Sequence, residues 1–234
     1  MSWAFVQATS NSDESGTTDG SISQAFGSNN AAGNLIIVSG SYYDPSDSVT
    51  ATCSDSRNTY VSLVGHYRAG TGTSTHQYGY VFAAYNIGAG ANTPKITYSS
   101  SVAYVDIEIH EYSGLATSSA YDVQGLNNTD TGTAMSTGSA TPNFNNELAF
   151  GYFYAYAGSN TFSAFGTGIN SRTINVGGDR FATCDKLVSS GSSTSLTCTY
   201  GGNCTHDFGI MVTFQLPGAA AAAPGGLTLR GCGL

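Results

Sequence analysis

Alternating apolar and polar residues, with a period of two, recur along almost the whole chain and are separated by clusters of Gly, Ser and Asn. Successive side chains of a β-strand point to opposite faces of a sheet, so this alternation is typical of half-buried strands. No convincing period of about 3.6 residues, the mark of an amphipathic helix, extends beyond roughly ten residues. The pattern therefore predicts an all-β protein, an antiparallel and jelly-roll-like β-sandwich of about a dozen short strands.

The segments that fit the alternation are bounded by turn-forming residues. They cover residues 3–8, 20–26, 34–42, 48–53, 59–66, 76–86, 94–99, 103–112, 147–156, 172–176, 181–188, 194–200 and 206–216. Three of them, 34–42, 147–156 and 206–216, are the most apolar and nearly free of charge, which predicts central strands buried on both faces.

The composition changes after Leu216. Residues 1–216 are predicted to form one sandwich domain, whereas residues 217–234 read PGAAAAAPGGLTLRGCGL. A Pro/Gly/Ala-rich stretch of this kind is typical of a linker or a flexible tail. We interpret 217–234 as an arm that docks on a neighbouring subunit.

Charge is scarce and excludes several classes of partner. Only 9% of the residues are charged, with 7 Lys and Arg against 15 Asp and Glu, while aromatic residues make up 12%. So many aromatics disfavour disorder, and so few basic residues leave no footprint for nucleic acid. No apolar run approaches the length of about 18 residues that a membrane-spanning helix needs. A surface with little charge suits a subunit that packs among neighbours.

Three segments carry a recognisable order of motifs. They are AAGNLIIVSGSYYDPSDSVTATCSDSRNTYVSL (31–63), FAAYNIGAGANTPKITYSSSVAYVDIEIHEYSGL (82–115) and NNELAFGYFY (145–154). Together they resemble a β-sandwich domain that recurs in bacterial cell-surface proteins and in phage structural proteins. The resemblance spans residues 3–216 and implies extracellular display or virion decoration. It brings no catalytic residues, since its motifs mark turns and core strands.

The N-terminal sequence and the cysteines bear on the cellular compartment of the protein, but neither of them decides it. The opening MSWAFVQATS has neither a basic nor an apolar signal region, so a signal peptide was either removed or never needed, as in a virion protein. The candidates for a disulfide are Cys53, Cys184, Cys198 and Cys204. A hairpin centred on Gly191 would place Cys184 opposite Cys198, and a short loop would let Cys198 pair with Cys204 instead. Cys232 lies in the arm, where it is either a free thiol or an intermolecular partner.

The most polar strand segment is DIEIHE, residues 106–111. On a strand, Asp106, Glu108 and His110 share one face, while the Ile residues between them and Glu111 take the other. Residues two apart lie roughly 7 Å apart at Cα, which suits the paired carboxylates of a jelly-roll glycosidase built on Asp106, Glu108 and Glu111. The glucanase pattern Glu-x-Asp-x-x-Glu occurs here with its first two acids exchanged. A divalent cation such as calcium, or a solvated face with offsetting charges, fits the same residues.

Tyrosines alternate along the predicted strand 147–156. Tyr152, Tyr154 and Tyr156 share one face, so they form core, a subunit interface or a platform on which sugars stack. These residues, together with Asp106, Glu108 and His110, are the predicted ligand-binding set.

Other polar groups offer weaker metal sites. His66 and His76 are equidistant from Thr71, so a hairpin would set them across from each other. Asp13, Glu14 and Asp19 only loosely resemble a calcium loop, and Asp44 and Asp47 first indicate a turn. None of these sets has the spacing of an established metal motif, so no metal or other cofactor is predicted, with calcium as the one open possibility.

Three functions fit the sequence. The leading hypothesis is a non-enzymatic assembly protein on a virion or cell surface, whose partners are neighbouring subunits. The second is a secreted carbohydrate-binding module or adhesin that uses the tyrosine face. The third is a glycosidase.

Overall fold

The all-β fold class is confirmed. A computed structural model describes residues 2–16, 18–70, 76–156, 161–174, 181–204 and 207–219. Within these ranges there are sixteen strands and no helix, hence none that is long and apolar enough to cross a membrane. Every strand pairing is antiparallel, as a sandwich requires.

The strands follow one another through short turns. The first eight are β1 (Ala4–Asp13), β2 (Asp19–Ser23), β3 (Leu35–Tyr43), β4 (Ala51–Ser54), β5 (Val61–Arg68), β6 (Gln77–Ala84), β7 (Lys95–Val102) and β8 (Val105–Ser113). The second eight are β9 (Tyr121–Asn127), β10 (Gly132–Ser136), β11 (Glu147–Ala155), β12 (Phe162–Ser163), β13 (Asn170–Ile174), β14 (Phe181–Val188), β15 (Thr197–Cys204) and β16 (Asp207–Phe214).

The strands form two eight-stranded units with the same strand order. In the first, a five-stranded sheet runs β1-β8-β3-β6-β5 and a three-stranded sheet runs β2-β7-β4. In the second, the sheets run β9-β16-β11-β14-β13 and β10-β15-β12. Adding eight to every strand number of the first unit gives the second, and the pairs of strands 1 with 8, 2 with 7 and 3 with 6 are those of a jelly roll. The predicted domain 1–216 thus contains two copies of one fold, which we call the first and second repeats.

Matched positions show the repeat at the level of residues. Leu35 pairs with Tyr112 in the first repeat, and Leu148 pairs with Phe214 in the second. Two residues before each Leu the backbone has a positive φ, at Gly33 (83°) and Asn146 (62°), where Gly and Asn tolerate the left-handed conformation. The turn into the third strand of each repeat is therefore built in the same way.

Three hydrophobic cores separate the four sheets. One core fills the space between the two sheets of the first repeat, and another fills the second repeat. The third lies between the two five-stranded sheets and draws residues from both repeats, including Leu35 and Phe150. The layers therefore run three-stranded, five-stranded, five-stranded, three-stranded, with the five-stranded sheets in the middle.

Irregular pairing is concentrated at the sheet edges. In both five-stranded sheets, each edge strand, β1, β5, β9 and β13, joins its neighbour through a shift of register. The interior pairs around β3 and β11 show none. A bulge of this kind bends and twists an edge strand.

All thirteen predicted segments correspond to strands, and β3, β11 and β16 are interior as predicted. The prediction missed β9, β10 and β12. These are edge strands whose exposed faces give only weak alternation. The predicted arm is described only as far as Ala219, so residues 220–234 lie outside the described part.

Candidate functional site

The predicted polar face of β8 points into the interface between the repeats. Asp106, Glu108 and His110 are buried there, while Val105, Ile107 and Ile109 pack in the core of the first repeat. Glu111 lies on that second face, as predicted, where it accepts hydrogen bonds from Gln7 on β1 and from the loop that precedes β3.

Asp106 is held by donors from both repeats. Oδ1 accepts bonds from the backbone N–H of Ser41 at 2.9 Å and from the hydroxyl of Tyr152 at 2.7 Å. Oδ2 accepts a short bond from the hydroxyl of Ser41, which in turn accepts one from the side chain of Gln77 at 2.8 Å. The structure thus brings together two predicted site residues, Asp106 and Tyr152, from the two repeats.

Glu108 lies beside Asp106 on the same face. Its Oε2 accepts a hydrogen bond from the hydroxyl of Ser39 at 3.0 Å, while its Oε1 is buried without a hydrogen-bond partner among the described residues. Burial raises the pKa of Glu108 well above its usual range, and the Asp106 carboxyl raises it further. Burial likewise raises the pKa of Asp106 to about 7, although its hydroxyl donors partly offset this. Because burial raises both pKa values, the pair retains a proton near neutral pH.

His110 is the third member of the face and crosses the same interface. Its Nε2 lies 2.8 Å from the hydroxyl oxygen of Thr183 on β14, and its ring lies edge-on to Phe150 with centroids 4.9 Å apart. Burial lowers the pKa of His110 to about 3, and the charge of Arg172 adds to this effect. The imidazole is therefore neutral at physiological pH.

A second bridge between the repeats is formed by Tyr112, two residues beyond His110 on β8. The hydroxyl of Tyr112 donates to Oδ2 of Asp185 at 2.9 Å. Asp185 is buried and also accepts bonds from Arg172, a short one from Nε and one from Nη2 at 2.9 Å. The Arg172 guanidinium lies 4.1 Å from the ring centroid of Phe5, a cation–π distance.

The second repeat carries apolar residues at the matching positions. The pairings with β3 and β11 match Asp106 to Phe208, Glu108 to Ile210 and His110 to Val212. These three residues of β16 are buried in the same interface. The fold therefore accepts hydrophobic residues here, and the polar set on β8 is a property of the first repeat alone.

The three tyrosines do not form a common platform. Tyr152 and Tyr154 are buried in the core between the repeats, and only Tyr156, just beyond β11, is exposed, at 51%. Tyr152 and Tyr154 share one face of β11, as predicted. Their rings pack against Phe208 at centroid distances of 5.5 and 5.3 Å, so they belong to the core interpretation.

The predicted hairpin around Gly191 is wrong. β14 pairs with β11 and β13, whereas β15 pairs with β10 and β12, so Cys184 and Cys198 lie on facing sheets within one core. The predicted loop between Cys198 and Cys204 is also wrong, because both lie on β15, which runs to residue 204. Cys53 is a free thiol on β4, in the outer sheet of the first repeat, whereas the other candidate cysteines lie on strands of the second repeat.

The weaker metal candidates do not converge. His66 stacks on Tyr78 with centroids 3.7 Å apart, while Nδ1 of His76 lies 2.6 Å from Oδ1 of Asp47. Thr71, the predicted centre of their hairpin, lies outside the described residues, although β5 and β6 do pair around it. Among the described residues no group of three His, Cys, Asp or Glu side chains is placed to hold a metal ion.

Two of the acidic candidates organise loops. Asp44 accepts bonds from the backbone N–H groups of Ser46, Ser48 and Val49, which confirms the predicted turn. Asp13 accepts a bond from the N–H of Ser15. Asp19 lies beside Asp13, and burial followed by the charge of Asp13 raises its pKa.

The comparisons with known proteins leave this site without a relative. No protein-family model matches the chain, and no curated protein or solved structure matches it. The resemblance to cell-surface and phage proteins therefore stays a prediction.

Sequence reasoning missed the partners of the β8 face. Ser39, Ser41, Asp185 and Arg172 lie on strands far along the chain, and nothing in their local pattern indicates that they meet Asp106, Glu108 or Tyr112. Tyr112 itself continues the alternation of β8, and that signal was present in the sequence.

Proposed function

We propose that the protein is a non-enzymatic structural protein that decorates or cements an assembly by binding neighbouring protein subunits. The observation that supports this most is the pair of three-stranded sheets at opposite ends of the layered molecule. Each presents one outward face, and the two faces are built on matching positions of the repeats. A subunit with two like faces is suited to joining two neighbours.

The outward faces are rich in hydroxyl groups. On the first repeat, Thr52, Thr97 and Ser21 lie side by side across β4, β7 and β2. On the second, Ser163 and Thr199 lie side by side across β12 and β15. Thr97 and Thr199 occupy the same position of the repeat. Thr97 directly follows Ile96, an inward-facing residue that pairs with β2, and Thr199 directly follows Cys198, an inward-facing residue that pairs with β10. Such a face is polar without strong charge, so little charge has to be desolvated when it is covered.

The acids that suggested catalysis are enclosed. Asp106 and Glu108 lie between two five-stranded sheets, and Glu111 is saturated by four donors from Gln7, Asn30, Ala31 and Asn34. Hydrolysis requires that a sugar and a water reach both carboxyl groups. This arrangement favours a structural role for the acids over the glycosidase hypothesis.

The proposal places the protein on a virion surface or at the cell surface, with copies of itself or a capsid or surface lattice as partners. Multivalent contact turns many weak interfaces into a stable lattice. Neither nucleic acid nor membrane insertion is part of the proposal.

Sedimentation velocity over a range of concentrations tests the role of the outward faces. We expect reversible association that is abolished by Thr97→Glu with Thr197→Glu, because both side chains are exposed on the outward faces. The control carries Thr117→Glu and Ser118→Glu, which are exposed in the connection between the repeats. Equal association of both double variants would contradict the proposal.

A second experiment addresses the arm. Deleting residues 217–234 is expected to abolish assembly, and full retention of assembly would remove the arm from the proposal. A positive result on a glycan array would instead favour a carbohydrate-binding module.

A further inference from the structure

Asp106 and Glu108 form a carboxyl pair that is enclosed between the repeats. Both side chains are fully buried and lie two residues apart on the same face of β8. Among the described residues, their donors are the hydroxyls of Ser39, Ser41 and Tyr152 and the backbone N–H of Ser41, and none is a cationic side chain. Two ionised carboxylates at this position would be buried charges without a counter-ion, which is strongly unfavourable.

The molecule contains an internal reference for this pair. Phe208 and Ile210 occupy the matching positions of the second repeat and are buried in the same interface. A hydrophobic pair would therefore fill the same space, and burying polar groups rarely improves stability over such a pair. The acids give this interface something that packing alone does not, namely a dependence on protonation.

We propose that the Asp106–Glu108 pair is a proton-operated latch between the two repeats: with its proton the pair joins the five-stranded sheets, and loss of the proton loosens their packing. Asp106 meets the other repeat through the bond from the Tyr152 hydroxyl, which a carboxylate accepts as well as an acid does. The loosening on loss of the proton therefore comes from the second buried charge and not from loss of this bond. This inference concerns the inner interface and does not depend on the outward faces discussed above.

The titratable groups around the pair do not neutralise it. They are Tyr80 on β6, Tyr98 on β7, Tyr152 on β11, His110 on β8 and Glu14 after β1. Burial raises the pKa of each of the three phenols well above 10, so they stay neutral. The pKa of His110 is low, about 3, because of its burial, so it too carries no charge, and Glu14 adds a negative one.

The direction of the effect follows from the raised pKa values. Burial raises the pKa of Asp106 to about 7 and that of Glu108 well above its usual range. An acid whose pKa rises on folding stabilises the folded state fully below its unfolded pKa, and that stability is lost as the pH rises through the folded pKa. Above pH 6.5 an unfolded histidine is mostly neutral, so His110 does not mask the loss.

Glu147 is another described acid that titrates in this pH range. Burial raises the pKa of Glu147 to about 7, with Asp122 adding to the shift. Glu147 lies at the start of β11, away from the pair, and Glu147→Gln removes its contribution. All variants are therefore compared in the full chain with Glu147→Gln.

The first test is urea unfolding between pH 6.5 and 8. With Asp106 and Glu108 intact, we expect the folding equilibrium constant to fall as the pH rises, by at most about tenfold per pH unit for each proton that the folded pair still holds, and to level off above the folded pKa values. With Asp106→Asn and Glu108→Gln, which keep the shape and cannot ionise, we expect the fall to disappear. If this variant does not fold, Asp106→Phe with Glu108→Ile, the residues of the second repeat, supplies the same comparison. An equal fall in the intact and the changed pair would overturn the latch.

The second test asks whether the interface itself responds. Trp3, the single Trp of the chain, packs on the inter-repeat core with its ring 5.9 Å from that of Tyr112. Its emission should shift to longer wavelength between pH 6.5 and 8 in the absence of urea, and only when the pair is intact. Unchanged emission would overturn the latch even if stability falls.

The third measurement requires only the Glu147→Gln background. At pH 6.5 a buried protonated carboxyl should give an infrared carbonyl band that titrates with the loss of stability. Absence of that band would overturn the retained proton on which the latch depends.

Discussion

The hydroxyl of Tyr152 lies 2.7 Å from Oδ1 of Asp106, and this bond joins β11 of the second repeat to β8 of the first. Tyr152 occupies the position that Ser39 holds in the first repeat. Ser39 pairs with Glu108 on β8, Tyr152 pairs with Ile210 on β16, and Glu108 and Ile210 are matching positions of the two repeats. Ser39 and Tyr152 thus each donate to one member of the Asp106–Glu108 pair, one from within the repeat and one across the interface.

Replacing Tyr152 by Phe tests the value of that contact. The change leaves the ring in place and removes one donor from a buried carboxyl group, which typically costs about 1–3 kcal/mol of unfolding free energy. It should also raise the pKa of Asp106, because the Tyr152 hydroxyl lowers it. Urea denaturation at pH 6 measures the loss. Tyr156→Phe is the control, since Tyr156 is exposed, and an equal loss in both variants would contradict the assignment.

Replacing Gly79 by Ala tests how closely the repeats pack. A Cβ at Gly79 would lie 2.6 Å from Cε2 of Phe208 and 3.1 Å from Cδ1 of Ile210, both in the other repeat. Overpacking of this kind costs about 1–3 kcal/mol. Gly20→Ala is the matched control, because nothing lies within 4 Å of its added Cβ. Thermal unfolding that is unaffected by Gly79→Ala would show that the five-stranded sheets are further apart than described.

Replacing Arg172 by Ala tests the ion pair within the second repeat that supports the bond from Tyr112 to Asp185. It leaves Asp185 buried without its cation, and breaking such a pair is expected to cost about 3 kcal/mol. Arg172→Lys should restore only part of this, because Lys cannot donate two bonds in the plane of the carboxylate. The comparison is Arg68→Ala, whose partner Asp47 is 3.8 Å away and partly exposed, so a small effect is expected there. Equal losses would indicate that Asp185 is solvated.

Replacing His110 by Val, the residue of the second repeat, tests the neutral imidazole. A base whose pKa is lowered on folding stabilises the protein above its unfolded pKa of about 6.5, and that stability is lost as the pH falls. The stability of His110→Val relative to the native chain should therefore rise by about 1.4 kcal/mol per pH unit between pH 6 and 4. Denaturation at several pH values measures it, and an NMR signal of His110 that titrates near pH 6 would contradict the expectation.

The fold class was predictable because the alternation reports directly on which strand faces are buried. β3 and β11 are recognisable as central strands since they are apolar at nearly every position. The duplication was hidden, because matching positions differ in chemistry: Asp106 matches Phe208, and Glu108 matches Ile210. Strand pairing preserves the geometry of a repeat after its residues have diverged, and a single sequence does not display pairing.

The candidate site was predictable as a strand face but not as an interface. Alternation places Asp106, Glu108 and His110 on one side of β8, which is correct. A polar face ordinarily indicates solvent, yet here a second sheet covers it. That outcome depends on the contacts of Tyr152 and Thr183, which are 46 and 73 residues away along the chain. The local sequence pattern of β8 does not indicate partners that lie so far away along the chain.

The shifted register at the edges of the five-stranded sheets has a consequence for a protein that is held at high local density. A straight edge strand offers unpaired N–H and C=O groups on which another chain can add, and this leads to fibres. The irregular edges of β1, β5, β9 and β13 interrupt that row of groups. Copies crowded side by side are then expected to remain discrete particles, free of the runaway polymerisation to which flat β-proteins are prone.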